Sequence, residues 1–235
     1  MKKIKNPLIR RIPKELIGDW KKYLVVFLFL VLTIGFVSGM YVANESMITS
    51  ANEGVTKYKQ EDGHFELKKQ ADATLLSAIE TGEKADFKAT KTTLYENFFR
   101  NEEEDYNNDG KKDGTIRVFA KTKDINLACM LQGSFPQKAD EIAIDRMHAD
   151  NVGIKVGDTV TVSGETYKVV GLLAYVNYST LHEKTTDLMF DALKFDVAMV
   201  TQDGFDRLHK SIHYTYAWKY ETEPADEAGE KTRSE

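Results

Sequence analysis

The most local arrangement that could do chemistry is the run Asp105-Tyr106-Asn107-Asn108-Asp109-Gly110-Lys111-Lys112-Asp113. Oxygen-bearing side chains at alternate positions around a glycine turn suit a hard cation. Asp105, Asn107, Asp109, Lys111 and Asp113 fall at positions 1, 3, 5, 7 and 9 of an EF-hand-type calcium loop, with Gly110 at position 6 and the Lys111 carbonyl as the backbone ligand. Calcium takes six to eight oxygens, and the loop's twelfth position, usually a bidentate Glu, is Ile116. A carboxylate from elsewhere would have to complete the set, and Glu102–Glu104 lie close in sequence. The competing reading is a polar turn between two strands, because Asn, Asp and Gly favour turns whether or not a metal is bound.

His209 and His213 stand four apart, a spacing that on one helix face could hold zinc. The glutamate of H-E-x-x-H is missing between them, and Ser211-Ile212 fills the gap. No phosphate-cradling G-x-x-x-x-G-K-[ST] occurs, so the chain is not expected to cradle nucleotide phosphates by itself. No G-x-S-x-G elbow occurs, and nothing marks a carboxylate pair for glycoside chemistry. The sequence reads as non-enzymatic, with calcium as its one candidate cofactor. The single cysteine, Cys129, can form no disulfide within the chain and reads as a small buried apolar residue.

The elements that would position these groups begin with Tyr23–Ala43, twenty-one residues without a charged side chain. As a helix this stretch is about 31 Å long, against a hydrocarbon core of about 30 Å. Residues 1–22 carry eight basic and two acidic side chains, which leaves −11 for the remainder of a chain whose net charge is −5. Basic residues stay on the cytoplasmic side of a membrane, so residues 1–22 are expected inside and residues 44–235 outside. The apolar run is too long for the core of a cleaved signal peptide, and Tyr41-Val42-Ala43 is a poor cleavage site. The basic end has no interleaved aromatic residues or recognition motif, so nucleic acid is not the expected partner. Residues 7–22 show apolar positions at helical spacing between basic ones, which fits an amphipathic helix on the inner lipid surface or a plain positive-inside anchor. Gly35 and Gly39 form a G-x-x-x-G through which a second spanning helix could approach closely.

Residues 44–220 mix helix and strand signals. Helices are expected at 44–59, 71–79, 146–151 (capped by Asp145), 185–193 and 204–210. Strands are expected at 64–68, 92–99, 115–120, 141–145, 195–201 and 214–220. Thr159–Ser163 and Thr166–Leu173 flank Gly164-Glu165 as a hairpin. Tyr214, Tyr216, Trp218 and Tyr220 alternate with smaller or polar residues, a face that fits the core better than a ligand platform. Residues 221–235 are polar and charged, a tail or the start of a helix.

One stretch carries a resemblance: Gly133 with Pro136, Asp140-Glu141-Ile142-Ala143-Ile144, Gly153-Ile154-Lys155-Val156-Gly157-Asp158, and Tyr167-Lys168-Val169-Val170-Gly171. In this order, after a basic segment, one span and a soluble region, these pieces resemble FtsX/MacB-type ABC transporter permeases over about residues 8–220. The resemblance implies an α+β protein with one N-terminal transmembrane helix followed by a mixed α/β extracytoplasmic domain of the MacB-like periplasmic core type. It implies mechanotransmission: a separate cytoplasmic ABC ATPase hydrolyses ATP, and an outer domain moves to export or sense a lipid, lipoprotein or peptide. Membrane lipid, the ATPase subunit and a second permease copy or homologue are the implied partners. Such permeases have further spans, usually three, after the outer domain, so the chain is expected to be the N-terminal portion of a permease, with residues 221–235 leading towards them. The alternative is a single-pass surface protein with a ligand-binding, calcium-dependent outer domain.

Overall fold

In the computed structural model the described residues are 17–81, 92–178, 180–184 and 186–221. The basic segment before Ile17 and the tail after Glu221 lie outside them, as does the part of the expected amphipathic helix that precedes Ile17. The chain falls into two units, residues 1–53 and 54–235.

The first unit is dominated by helix α1, Trp20–Lys57, which runs 38 residues and ends inside the second unit. At 1.5 Å per residue it is about 57 Å long. No residue of α1 is buried, and its apolar side chains from Tyr23 to Val42 face outward in every direction. A helix that is apolar all round is soluble only when something apolar surrounds it. α1 is the one described helix long and apolar enough to cross a membrane. The span expected at 23–43 and the helix expected at 44–59 are therefore one uninterrupted element.

The second unit is a mixed α/β domain. Its elements in chain order are β1 (Gly63–Leu67), α2 (Ala73–Thr81), β2 (Thr92–Glu96), β3 (Phe99–Asp105), β4 (Gly114–Ala120), β5 (Ala128–Gly133), β6 (Glu141–Asp145), α3 (Arg146–Val152), β7 (Thr159–Val162) and β8 (Glu165–Tyr175). A short 3-10 turn, Val176–Tyr178, is followed by β9 (Phe195–Val200), α4 (Gln202–Asp206) and β10 (Tyr214–Tyr220). β10 lies antiparallel between β1 and β2 in a three-stranded sheet. Of the alternating aromatics only Tyr216 is fully buried, stacked on Phe65 and met edge-on by Phe98; Tyr214, Trp218 and Tyr220 are half-buried.

The larger sheet closes on itself. Its pairings run β7–β8–β6–β9–β4–β3 and return to β7, with β5 added outside β8. Two of these pairings, β4 with β9 and β6 with β8, are parallel. Closing a sheet sends alternate residues to the interior. Ile116 and Val118, Ile142 and Ile144, Val160 and Val162, Tyr167 and Val169, and Ala198 and Val200 fill it as one apolar cluster. The opposite phase (Phe119, Ala143, Val197 and Met199 among them) packs outside the ring under β5 and the residues after β8. The hairpin predicted around Gly164 is β7–β8; its turn is Ser163-Gly164, both at positive φ, one residue earlier than expected.

Three expectations are corrected. Residues 92–99 are not one strand: β2 ends at Glu96, and Phe99 opens β3 in the other sheet. Residues 186–194 form turns rather than a helix. There Asp187 accepts from the Lys184 N–H and Asp191 from the Leu193 N–H, so local side chains take donors a helix would need, and Leu188 is 98 % exposed. Cys129 is half-buried rather than buried, and the Tyr58 hydroxyl donates to its Sγ at 2.8 Å.

Candidate functional site

Inside one end of the closed sheet three ionisable side chains meet: Glu104, His148 and Asp196. Each is completely buried. β3 supplies Glu104 and β9 supplies Asp196, on the phase that faces the interior. Between those strands lies β4, where Gly114 is the partner of Glu104 and Ile116 the partner of Asp196. Gly114 places no side chain between the two acids, and a Cβ there would lie 2.6 Å from the Lys194 carbonyl oxygen. The third group arrives on α3. Asp145 caps that helix by accepting from the Met147 and His148 N–H groups at 2.7 and 3.4 Å, which starts the helix with His148 in its first turn. The Asp145 side chain was legible as a cap because an Asp follows the β-rich run Ile142-Ala143-Ile144 and precedes helix formers.

The hydrogen bonds fix the orientation of each group. His148 Nδ1 lies 2.7 Å from the Ala192 carbonyl oxygen. A carbonyl only accepts, so Nδ1 carries a proton and the neutral ring has its lone pair on Nε2. Nε2 is 3.3 Å from Glu104 Oε1, an ion-pair distance without hydrogen-bond alignment. Asp196 Oδ1 accepts from its neighbour's N–H on Val197 at 2.7 Å and from Asp145 N–H at 3.1 Å. Among the described residues, Asp196 Oδ2, both Glu104 carboxylate oxygens and His148 Nε2 lack a hydrogen-bond partner. One donor atom from each of the three residues lies within 4.8 Å of the others.

Burial opposes charge on the His148 ring, but Asp196, Glu104 and the Ala192 carbonyl outweigh it and raise the pKa to about 9. Burial likewise drives Asp196 well above the usual carboxylate range; His148 opposes this, while Glu104 and Asp145 reinforce it. The cluster therefore holds a proton at neutral pH when nothing else neutralises it.

This cluster was not foreseen. Glu104 sits in an acidic run that reads as surface, and His148 is one of several polar residues on a short helix. The available signal was Asp196, a lone carboxylate on the inward phase of a strand that is otherwise apolar.

The calcium-type loop links β3 to β4. Asp113 Oδ2 accepts from the Tyr106 and Asn107 N–H groups, Asp105 from those of Asp109 and Gly110, and Asp109 from Lys111. The loop is thus closed by its own backbone donors. Glu102 accepts from Ser163 and Lys210, Glu103 pairs with Lys210, and Glu104 faces His148. A surface cleft of about 390 Å³ runs past the loop and the β7–β8 turn, lined by Glu103, Glu104, Lys111, Ser163 and His209 among others. His209 and His213 do not share a helix: α4 ends at Asp206, and His213 bonds Glu66 at 2.8 Å. Gly35 and Gly39 lie on α1, with nothing within 4 Å of where a Cβ would stand.

No family model matches the chain, and no curated protein matches it in sequence. Among solved structures, the chain is similar to the periplasmic region of MacB from Actinobacillus actinomycetemcomitans, at 9% identity over 66% of this chain and 69% of that one, with a TM-score of 0.37. It is also similar to the extracellular domain of the noncanonic ABC-type transporter YknZ from Gram-positive bacteria, at 12% identity over 71% of this chain and 88% of that one, with a TM-score of 0.36.

Proposed function

We propose that this chain is a membrane-spanning component of an ABC-type transporter, with residues 1–22 cytoplasmic and the mixed α/β domain outside the membrane. On this reading a separate ATPase subunit hydrolyses ATP, and α1 carries the resulting displacement to the outer domain. The chain itself catalyses nothing; its role is to couple that motion to export or sensing of a lipid, lipoprotein or peptide.

The observation that carries the proposal is the continuity of α1. A lone anchor needs only about 20 residues, and a flexible stalk would follow it. Here the helix continues to Lys57. The next two residues are already tied into the domain: the Tyr58 carbonyl accepts from Leu127 and the Lys59 carbonyl from Asn126. Between Trp20 and Lys57 the chain contains no loop. The pieces behind the permease resemblance occupy structural positions. Gly133 ends β5, Glu141–Ile144 lie in β6, Gly153–Asp158 turn from α3 towards β7, and Tyr167–Gly171 lie in β8.

The test is to purify the full chain from native membranes in mild detergent and assay ATP hydrolysis. Vanadate-sensitive ATPase activity is expected to travel with it. Gly35→Leu with Gly39→Leu is expected to strip that activity by blocking close helix approach, while the outer domain keeps its melting temperature. Isolation of the chain alone, with no ATPase, overturns the transporter reading and leaves the single-pass surface protein.

A further inference from the structure

We propose that Glu104, His148 and Asp196 form a structural site for one divalent first-row transition ion, of the zinc or manganese kind, inside the closed sheet. The proposal does not depend on the transporter reading.

The donor set is one imidazole nitrogen and two carboxylates, a combination that suits these ions. The imidazole is prepared as metal-binding histidines commonly are. Its Nδ1–H is committed to a backbone carbonyl, that of Ala192, which turns the Nε2 lone pair towards the acids. The atoms that would bind are the ones left over. Asp196 Oδ1 is occupied by two N–H groups, whereas Asp196 Oδ2, both Glu104 oxygens and His148 Nε2 have no partner among the described residues. Buried polar atoms are nearly always paired, so three residues that each bring an unpaired atom within 4.8 Å of the others need a common cause.

A proton is the competing cause, and it answers less of the geometry. A protonated His148 would aim one N–H at Glu104 off-line and leave Glu104 Oε2 without a partner, and cancelling the remaining negative charge would take a second proton, on Asp196. A divalent ion on neutral imidazole and two carboxylates leaves no net charge and satisfies one atom from each residue. Ligand atoms about 2.1 Å from a shared ion lie roughly 3.0–3.5 Å apart. His148 Nε2 and Glu104 Oε1 already stand 3.3 Å apart, and the widest spread, within 4.8 Å, needs a contraction of at most about 1.3–1.8 Å, the scale of side-chain χ rotations.

The full chain is purified in detergent, and its metal content is measured by mass spectrometry before and after EDTA. It is then melted with EDTA, with added Zn²⁺ and with added Mn²⁺. About one ion per chain is expected. EDTA should lower the melting temperature, and the preferred ion should restore it by roughly 5–10 °C at a hundredfold excess over Kd. Asp196→Asn and Glu104→Gln should each lose the response, with affinity falling at least tenfold. A loop variant, Asp109→Ala with Asp113→Asn, and a surface variant, His209→Ala with His213→Ala, should keep it. A metal-free wild type that melts identically under all three conditions overturns the site. So does a response that the Asp196 and Glu104 variants retain, because the ion would then lie elsewhere. Should those variants fail to fold, X-ray absorption on the wild type decides: a nitrogen and oxygen shell containing one imidazole supports the site, and a shell without imidazole refutes it.

Discussion

Gly133→Ala should unfold the outer domain far more readily than Gly164→Ala, although both glycines have positive φ. Gly133 ends β5 at φ +77° and pairs with Gly171 of β8. A Cβ on Gly133 would stand 2.2 Å from the Val170 carbonyl oxygen and 2.9 Å from Gly171 Cα. That carbonyl also accepts the Ser134 N–H at 2.9 Å, so the seam cannot open without losing this bond. Gly164, at φ +87° in the β7–β8 turn, has nothing within 4 Å of the same point. Alanine at Gly164 therefore bears only the left-handed backbone penalty, about 1–2 kcal/mol. Alanine at Gly133 bears that penalty, about 1 kcal/mol for the hydrogen bond and roughly 1–3 kcal/mol of packing strain. The total, about 3–6 kcal/mol, is a large share of the 5–15 kcal/mol typical of a domain.

Urea titration of the full chain in detergent reads the difference. Trp218 reports unfolding because its indole packs against Gly63 in the three-stranded sheet, and Trp20→Phe removes the other tryptophan. With a slope of roughly 2–3 kcal/mol per molar urea, the midpoint should fall by about 1–3 M for Gly133→Ala and by under about 1 M for Gly164→Ala. Equal falls in the two variants would refute the reasoning, because they would show that the close approach of β5 to β8 has no energetic weight.

Two further outcomes are expected. Asp145→Ala removes the acceptor for the Met147 and His148 N–H groups and should cost about 1–2 kcal/mol in the same urea assay; Asp145→Asn, which keeps an oxygen at that position, should recover most of it. His64 titrates above its ordinary value because its ring bonds the Glu61 carboxylate, an effect that exceeds the opposing burial. Its contribution to stability is therefore full below about pH 6.5 and is lost as the pH rises through the raised folded value. In Glu61→Gln the NMR titration of His64 should move to lower pH, and the dependence of stability on pH between about 6 and 8 should flatten; an unmoved titration refutes the assignment.

What the sequence revealed was local. An uncharged run of twenty-one residues can be recognised without knowing any partner, and so can a glycine turn between β-rich runs, to within a residue, or an Asp before a short helix. The element most plainly missed, β3, reads Phe99-Arg-Asn-Glu-Glu-Glu-Asp105, a charged composition that argues for surface. It is a strand because it pairs with β4 and β7, and its inward acids are accommodated in the ring: Glu102 by Ser163 and the Lys210 N–H, Glu104 beside His148. The apolar residues at 188–190 misled in the opposite sense, since exposure of Leu188 and Met189 is invisible to a pattern that assumes apolar means inside.

The candidate site illustrates the deeper reason. Glu104, His148 and Asp196 belong to three separate elements, and no spacing rule links them. They meet because β3 and β9 flank β4, because β6 runs antiparallel to β9 and so delivers α3 beside the start of β9, and because β7 pairs with both β3 and β8 to close the ring. The pairings of β3 with β7, β4 with β9 and β6 with β9 are long-range, and spacing in the sequence cannot reveal them. Two acids and a histidine would otherwise oppose that closure through their desolvation. A sheet that closes over them must offset that cost, as the proton the cluster holds does in part and an ion bound between the three residues would do in full.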